Sequence, residues 1–271
     1  MSIANNWIQL AVDEIYLSYR HRVRVDRKTL RKYGRNVAVG TTEVDITTNS
    51  GTETFLTTNA IDTISSSDSA DTSKSIYIEG MTISGGVLTF ATQTATTDAS
   101  DGQTKVTLST PLARVTRMRG ATTGNVYVYE NTSLTAGKPT DTTKIHNTLV
   151  AGDNTSLKAG TSIAGNNYFI LTHYWATMGR AGGNAAADIR FKISNLGDSV
   201  LGNNFFTDEV WSISLNSPLD QQVRPFEIIK PNSDLVMTAT GTTTGLTINA
   251  GFMGFFADII SDEEWRRSEE A

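Results

Sequence analysis

The most constraining feature of this sequence is a succession of short runs in which apolar and polar residues alternate, separated by turns rich in Gly, Asn and Asp. The runs at 43–46 and 106–108 are typical, and pairs such as Gly85-Gly86 separate such runs. A period of two places every second side chain on the same face of a strand. Short strands with frequent turn residues predict antiparallel β-sheets.

The strand-like runs fall into two series, and a length of 271 residues allows two modest domains. The first series occupies residues 41–145. The second occupies residues 146–260 and opens with a stretch rich in Asn, Gly and Thr. We therefore predict an all-β protein made of two antiparallel β-sandwiches, the second resembling a jelly roll. Residues 261–271 are predicted to form a short acidic tail.

The first 40 residues differ from the rest and predict an N-terminal helix followed by a basic docking arm. Residues 3–20 carry apolar side chains at helical spacing, and Gly34 is expected to end any helix. Residues 20–35 hold eight Lys or Arg and one acid, out of chain totals of 23 and 28, so the remaining chain is strongly acidic. An acidic body argues against a protein dedicated to nucleic acid.

We predict that this arm docks on an acidic protein surface. Phosphate contacts and simple solvation are the alternatives for its charges, and packing on its own sandwich is the alternative for its helix. The predicted docking residues are Trp7, Ile8, Ile15, Tyr19, Arg22, Arg24, Arg27, Lys28, Arg31 and Lys32.

Composition excludes several kinds of site. The chain has no Cys and three His, so disulfides, thiolate metal clusters and a Cys nucleophile are excluded, and no two His have metal-ligand spacing. We expect no cofactor and no metal. No run of about 18 apolar residues predicts a membrane span, and the N-terminus lacks the features of a signal peptide, so synthesis in the cytoplasm is expected.

The candidate catalytic residues lack partners in the sequence. Gly197-Asp198-Ser199 resembles a hydrolase block, but no His follows His173, so a turn is the favoured interpretation. The segment 160–165 misses the spacing of a nucleophile elbow and is predicted to be a loop. The sequence therefore predicts no enzyme.

Two further groups have both a functional and a structural interpretation. The acids Asp208 with Glu209, and Asp62 with Asp68, would suit a glycosidase only at a separation of about 5 to 10 Å, which sequence spacing does not supply. In the strand-like segment 168–175, His173 and Trp175 share one side and Tyr174 takes the other. A core aromatic with a hydrogen-bonded His is favoured there over a binding platform.

An ordered series of short blocks resembles the virion structural proteins of marine phages and cyanophages. The resemblance covers about residues 32–260, without a counterpart for 191–215, and the helical arm lies outside it. The blocks that carry it are 32–36, 54–56, 61–72, 76–80, 114–118, 124–128, 154–159, 163–168, 187–190, 231–235 and 250–258.

This resemblance implies a non-enzymatic component of a virus particle. We expect a capsid decoration, or cement, protein that docks on the major capsid protein and stabilises the shell, located in the virion. The alternative is a tail or head-to-tail component, either with or without glycan binding. No specific nucleic acid and no membrane are expected as partners.

Thr-rich strands with few charges imply sheet edges that are covered by another subunit, and a homotrimer is expected. The aromatics proposed for the subunit contact belong to the second series, and at least half of them are expected to be ordinary core residues. They are Phe205, Phe206, Trp211, Phe252 and Phe255.

Overall fold

The structure is a computed structural model that describes residues 23–48, 54–179, 185–195, 205–215 and 217–259. These residues form antiparallel β-sheets almost throughout, and their helix content is a single 3₁₀ turn at Thr142–Lys144. The predicted all-β class is confirmed. The helix predicted at 3–20, the hydrolase-like block at 197–199 and the tail at 261–271 lie outside the described residues.

The strands are numbered in chain order. They are β1 (Val23–Val39), β2 (Val44–Asp45), β3 (Ile61–Ser66), β4 (Ser75–Ser84), β5 (Val87–Thr96), β6 (Val106–Leu112), β7 (Arg114–Arg119), β8 (Val126–Glu130), β9 (Leu134–Thr135), β10 (Lys138–Pro139), β11 (Ile145–Leu149), β12 (Gly160–Ser162), β13 (Asn167–Gly179), β14 (Ala186–Asn195), β15 (Phe205–Ser214), β16 (Leu219–Ile229), β17 (Ser233–Gly241) and β18 (Leu246–Ile259).

Strands β3 to β8 and β11 form two sheets that share one hydrophobic cluster. One sheet has the order β11-β8-β3-β6 and the other has the order β5-β4-β7. Ile64 and Val128 of the first sheet and Ile78 and Met118 of the second are all fully buried in this cluster. Alternation along each strand turns these side chains to one face, as the sequence pattern predicts.

The remaining long strands form a second pair of sheets around a larger cluster. Their orders are β1-β18-β13-β16 and β12-β17-β14-β15, with the short β2 also pairing with β17. Aromatic rings from both sheets meet in this cluster, and the centroids of the Phe191 and Phe252 rings lie 5.3 Å apart in an edge-on arrangement. Such pairs stabilise a core beyond the area they bury.

Residues 23–39 form β1 and belong to a sheet, whereas the sequence analysis placed them in a separate arm. The register of β1 on β18 runs from Val23 opposite Ile259 to Val39 opposite Leu246. The strand accommodates many basic residues because successive side chains face opposite sides of the sheet, so every second side chain can be exposed. Buried positions are Lys32, Gly34 and Asn36, and exposed positions are Arg31, Tyr33 and Arg35.

Two short strands pair with sheets formed mainly by the other of the two strand series. Residues 44–45 form β2 and pair with β17 of the second pair of sheets, although the sequence assigned them to the first series. Residues 145–149 form β11 and pair with β8 of the first pair, although most of them were assigned to the second series. The chain therefore begins the second pair, builds the whole first pair, and then returns to complete the second.

Candidate basic pocket

A pocket of about 360 Å³ opens where β1, β7 and the segment 155–158 come together. Both β1 and β7 lie at the ends of their sheets in the described topology, and backbone bridges join Tyr33 to Lys158 and Arg119 to Thr155. We call this the basic pocket. Its lining residues are Arg31, Lys32, Tyr33, Thr116, Arg117, Arg119, Thr155, Ser156, Leu157 and Lys158.

Two lysines fix the base of the basic pocket. Lys32 is 3% exposed and its Nζ donates a hydrogen bond of 2.7 Å to the carbonyl oxygen of Thr116. Lys158 is also buried, and its Nζ donates to the carbonyl oxygen of Val115 at 2.9 Å. A buried ammonium needs such acceptors, since burial without them is costly. The two contacts tie β1 and the segment 155–158 to β7.

The carbonyl of Thr116 is placed by a bulge in β7. In the register with β4, Arg117 lies opposite Glu79 and Val115 lies opposite Gly80, so Thr116 is the extra residue between them. A bulge bends its strand and redirects local groups. The segment 155–158 is held on the other side, because Ser156 exchanges hydrogen bonds with the backbone of Met118 through its own backbone N–H and its hydroxyl.

The outer wall consists of two arginines that share one carboxylate. Arg117 and Arg119 approach the carboxylate of Glu79 at 3.8 and 3.3 Å, and Arg117 also donates to the carbonyl oxygen of Arg31 at 3.1 Å. The side chain of Arg119 is 51% exposed. An ion pair with a half-exposed partner is screened and weak, so the guanidinium of Arg119 is available to compete for another anion, whereas Arg117 and Glu79 are half-buried.

The third guanidinium of the pocket belongs to Arg31, which lies 5.0 Å from the ring centroid of Trp175. A cation over an aromatic face is attracted by the negative face of the ring. The same outer face of β13 carries His173, whose Nε2 is 2.6 Å from a carboxylate oxygen of Asp220. The predicted alternation is confirmed: Tyr174 is buried in the core, and His173 and Trp175 lie on the opposite side.

A buried ion pair holds the wall of the basic pocket against the second pair of sheets. The Nε and Nη2 atoms of Arg114 on β7 donate to the two carboxylate oxygens of Asp234 on β17 at 2.9 and 2.8 Å. Both side chains are at most 2% exposed, and the hydroxyl of Ser162 also donates to Asp234. Bidentate pairing of this kind fixes relative orientation as well as distance.

The paired acids of the sequence analysis occupy different environments. Asp62 accepts hydrogen bonds from Thr63 and Asn131, and Asp68 accepts one from the backbone of Ala70. These contacts give each carboxylate a local structural role.

Asp208 does meet a second carboxylate, but that partner is Glu227 on β16 instead of its sequence neighbour. Tyr174 donates to Glu227 at 3.2 Å. Burial and the nearby Asp208 raise the pKa of Glu227 to about 7, and burial beside Glu227 raises the pKa of Tyr174.

The structure brings together two of the ten predicted docking residues, Arg31 and Lys32, and it buries Lys32. Arg24, Arg27 and Lys28 lie on β1. The other five, Trp7, Ile8, Ile15, Tyr19 and Arg22, lie outside the described residues.

Sequence reasoning missed Arg117, Arg119 and Lys158. The alternation of Arg117 and Arg119 on a short strand was the signal that two cations share a face.

Comparisons with family models and with curated proteins find no match for this chain. The described residues contain no group of three or more His, Asp or Glu that could hold a metal ion. Within those same ranges, no helix is long and apolar enough to cross a membrane.

Proposed function

We propose that this protein is a structural component of a phage virion, a capsid decoration protein that docks on the major capsid protein. The observation that carries the docking proposal is the basic pocket, where Arg31 and Arg119 are exposed and Arg117 is half-buried, on a chain that is otherwise acidic. A concentrated positive site on an acidic body steers an acidic partner to one face. The resemblance of residues 32–260 to virion structural proteins supports the proposal that the docking partner belongs to a virus particle.

The proposal includes two β-sandwich domains, the first inserted into the second between β2 and β12. Two separate buried clusters, each shared by two sheets, support this division. The contacts of Lys32, Lys158 and Arg114 join the two domains at several points. A joined, rigid body suits a protein that reinforces a shell, because little ordering entropy is lost when it docks.

A non-enzymatic function is part of the same proposal. The nearby Asp208 raises the pKa of the Glu227 carboxyl. Tyr174, which is buried in the core, donates a hydrogen bond to Glu227 at 3.2 Å, and this contact supports a structural role for the carboxyl. The other proposed attributes are a homotrimeric assembly and a location in the virion.

The docking proposal is tested by adding purified protein to particles that lack it and measuring occupancy on a gel. The triple variant Arg31→Gln, Arg117→Gln, Arg119→Gln should attach about tenfold more slowly at low salt and lose most of its salt dependence. Lys32 is left unchanged because it is buried. The matched control is Lys105→Gln, Lys138→Gln, Lys230→Gln, which removes the same charge elsewhere on the surface. Equal slowing in both variants would contradict docking through the basic pocket.

The N-terminal helix is tested separately by deleting residues 1–20. If Trp7, Ile8, Ile15 and Tyr19 contact the capsid, each fully buried large side chain contributes about 1.5 to 3 kcal/mol, so the truncated protein should remain folded and fail to occupy particles. Full occupancy by the truncated protein would contradict docking through the helix and would mean that the sheets make the whole contact.

Copy number separates the two particle positions. Band intensities from purified virions that match the major capsid protein in scale would support decoration. A few copies per particle would instead support the tail or head-to-tail alternative.

A further inference from the structure

We infer that the basic pocket binds an extended acidic segment of the partner protein, with one carboxylate held between Arg117 and Arg119. This inference rests on the proposed docking function and adds the chemistry that the pocket recognises. Its ligand is a peptide carrying consecutive or alternate Asp or Glu residues.

The first argument is that the two guanidiniums already converge on a carboxylate. Glu79 lies 3.8 Å from Arg117 and 3.3 Å from Arg119, so the geometry for a shared carboxylate exists within the chain. One carboxylate facing two guanidiniums leaves a local excess of positive charge. Guanidiniums bind planar carboxylates through paired hydrogen bonds, which favours a second carboxylate arriving from solvent.

The second argument concerns size. A volume of about 360 Å³ lies within the range of sites that bury a whole ligand, and it exceeds what a single inorganic ion fills. The backbone edges of β1 and β7 beside the pocket are already bridged to the segment 155–158, at Tyr33–Lys158 and Arg119–Thr155. A peptide ligand is therefore held through its side-chain carboxylates, and the volume favours a peptide over a free ion.

The third argument is that the pocket is already rigid. Its base is held by the contacts of Lys32 and Lys158 with β7, and its wall by the contacts of Arg117 and Ser156. The guanidinium of Arg31 over Trp175 adds a third cation that a neighbouring acidic residue of the peptide can reach. A rigid site loses less conformational entropy when it binds.

The test uses the purified full-length protein and calorimetric titration at low salt. The probe is hexaglutamate with blocked ends, and hexaglutamine is the neutral control peptide. Hexaglutamate should bind and hexaglutamine should not. Arg119→Gln should weaken binding about fivefold, as expected for one partly exposed charged contact. Glu79→Gln should strengthen binding about threefold because it removes the internal competitor.

Lys138→Gln is the control for loss of one positive charge at an exposed position outside the pocket lining, and it should bind like the unaltered protein. Thermal unfolding of each variant confirms that it is folded. Absence of hexaglutamate binding, or equal weakening by Lys138→Gln, would overturn the inference. Inorganic phosphate and a sulfated hexasaccharide are titrated in parallel, and tighter binding of either one with the same dependence on Arg119 would also overturn it.

The two proposals fail in different ways. If hexaglutamate does not bind but particle occupancy still depends on the three arginines, the peptide inference is wrong and the docking function stands. If hexaglutamate binds but the protein does not occupy particles, the pocket recognises acidic peptide and the proposed capsid function is wrong.

Discussion

At the residue scale, the buried Arg114–Asp234 pair determines how firmly the two pairs of sheets are joined. Replacing Asp234 by Asn keeps the size of the side chain but leaves the Arg114 guanidinium without a counter-charge in a buried site. Breaking such a pair costs about 3 to 5 kcal/mol. We expect a loss of this order in the free energy of unfolding, measured by urea denaturation.

The matched control for that substitution is Asp153→Asn, at an exposed position in the loop after β11. It should change the free energy of unfolding by less than about 0.5 kcal/mol. A similar small change for Asp234→Asn would mean that the pair does not join the sheets as described.

A second residue-scale prediction concerns Glu227 and pH. Because the pKa of this carboxyl is about 7 in the folded protein and about 4.5 ordinarily, the folded state binds more protons between these values. The contribution of Glu227 to the free energy of unfolding is therefore fully present below about pH 4.5 and declines as the pH rises toward 7. Glu227→Gln should flatten that decline.

The measurement for Glu227 is the thermal midpoint at several pH values from 4.5 to 7.5, for the unaltered protein and for Glu227→Gln. The control is Asp153→Asn, at an exposed position in the loop after β11. If the slope persists in Glu227→Gln, another group is responsible for the pH dependence.

At the element scale, β1 depends on Gly34 for its close approach to the rest of the protein. A Cβ at this position would overlap the carbonyl oxygen of Ile46 and the backbone nitrogen of Ala159, which are themselves hydrogen bonded to one another. Neither backbone atom can move without breaking that bond. Gly34→Ala should therefore destabilise the protein by at least about 1 to 3 kcal/mol.

Gly40→Ala is the comparison for this effect, because a Cβ there meets its nearest atom, Thr244 Cγ2, at an ordinary 3.6 Å. Urea denaturation should show little change for Gly40→Ala and a clear loss for Gly34→Ala. The sequence analysis assigned Gly34 to a helix end, whereas the structure places it inside a strand, where the absence of a side chain permits packing.

The aromatic residues of the second pair of sheets show why the location of subunit contacts was hard to predict. Phe252 is fully buried, and Trp211 and Phe255 pack partly against buried clusters. The ring of Phe205 lies against that of Phe55 in a tilted arrangement, with centroids 4.9 Å apart, and Phe206 is 47% exposed. One of the five is fully buried, so the expectation that at least half are core residues stays a prediction, and Phe206 is the most exposed candidate contact.

At the scale of the whole molecule, self-association is the remaining prediction. The strand β15 ends its sheet in the described topology and exposes Phe206 and Val210. Unpaired edges with apolar side chains favour pairing with another chain. We expect an oligomer, and specifically a trimer, in sedimentation velocity at micromolar concentration. Val210→Lys should shift the distribution toward monomer, and a monomer for the unaltered protein would contradict the trimer.

Alternation and turn chemistry in the sequence determined the all-β class, because a period of two is local and needs no knowledge of distant residues. It also determined the opposite faces of Tyr174 and Trp175. Only the tertiary structure decided that β1 pairs with β18, because the local sequence of a strand does not specify which distant strand it pairs with. The basic pocket was decided in the same way: Arg31, Arg117 and Lys158 are far apart in sequence, and long-range strand pairing and buried lysine contacts bring them together.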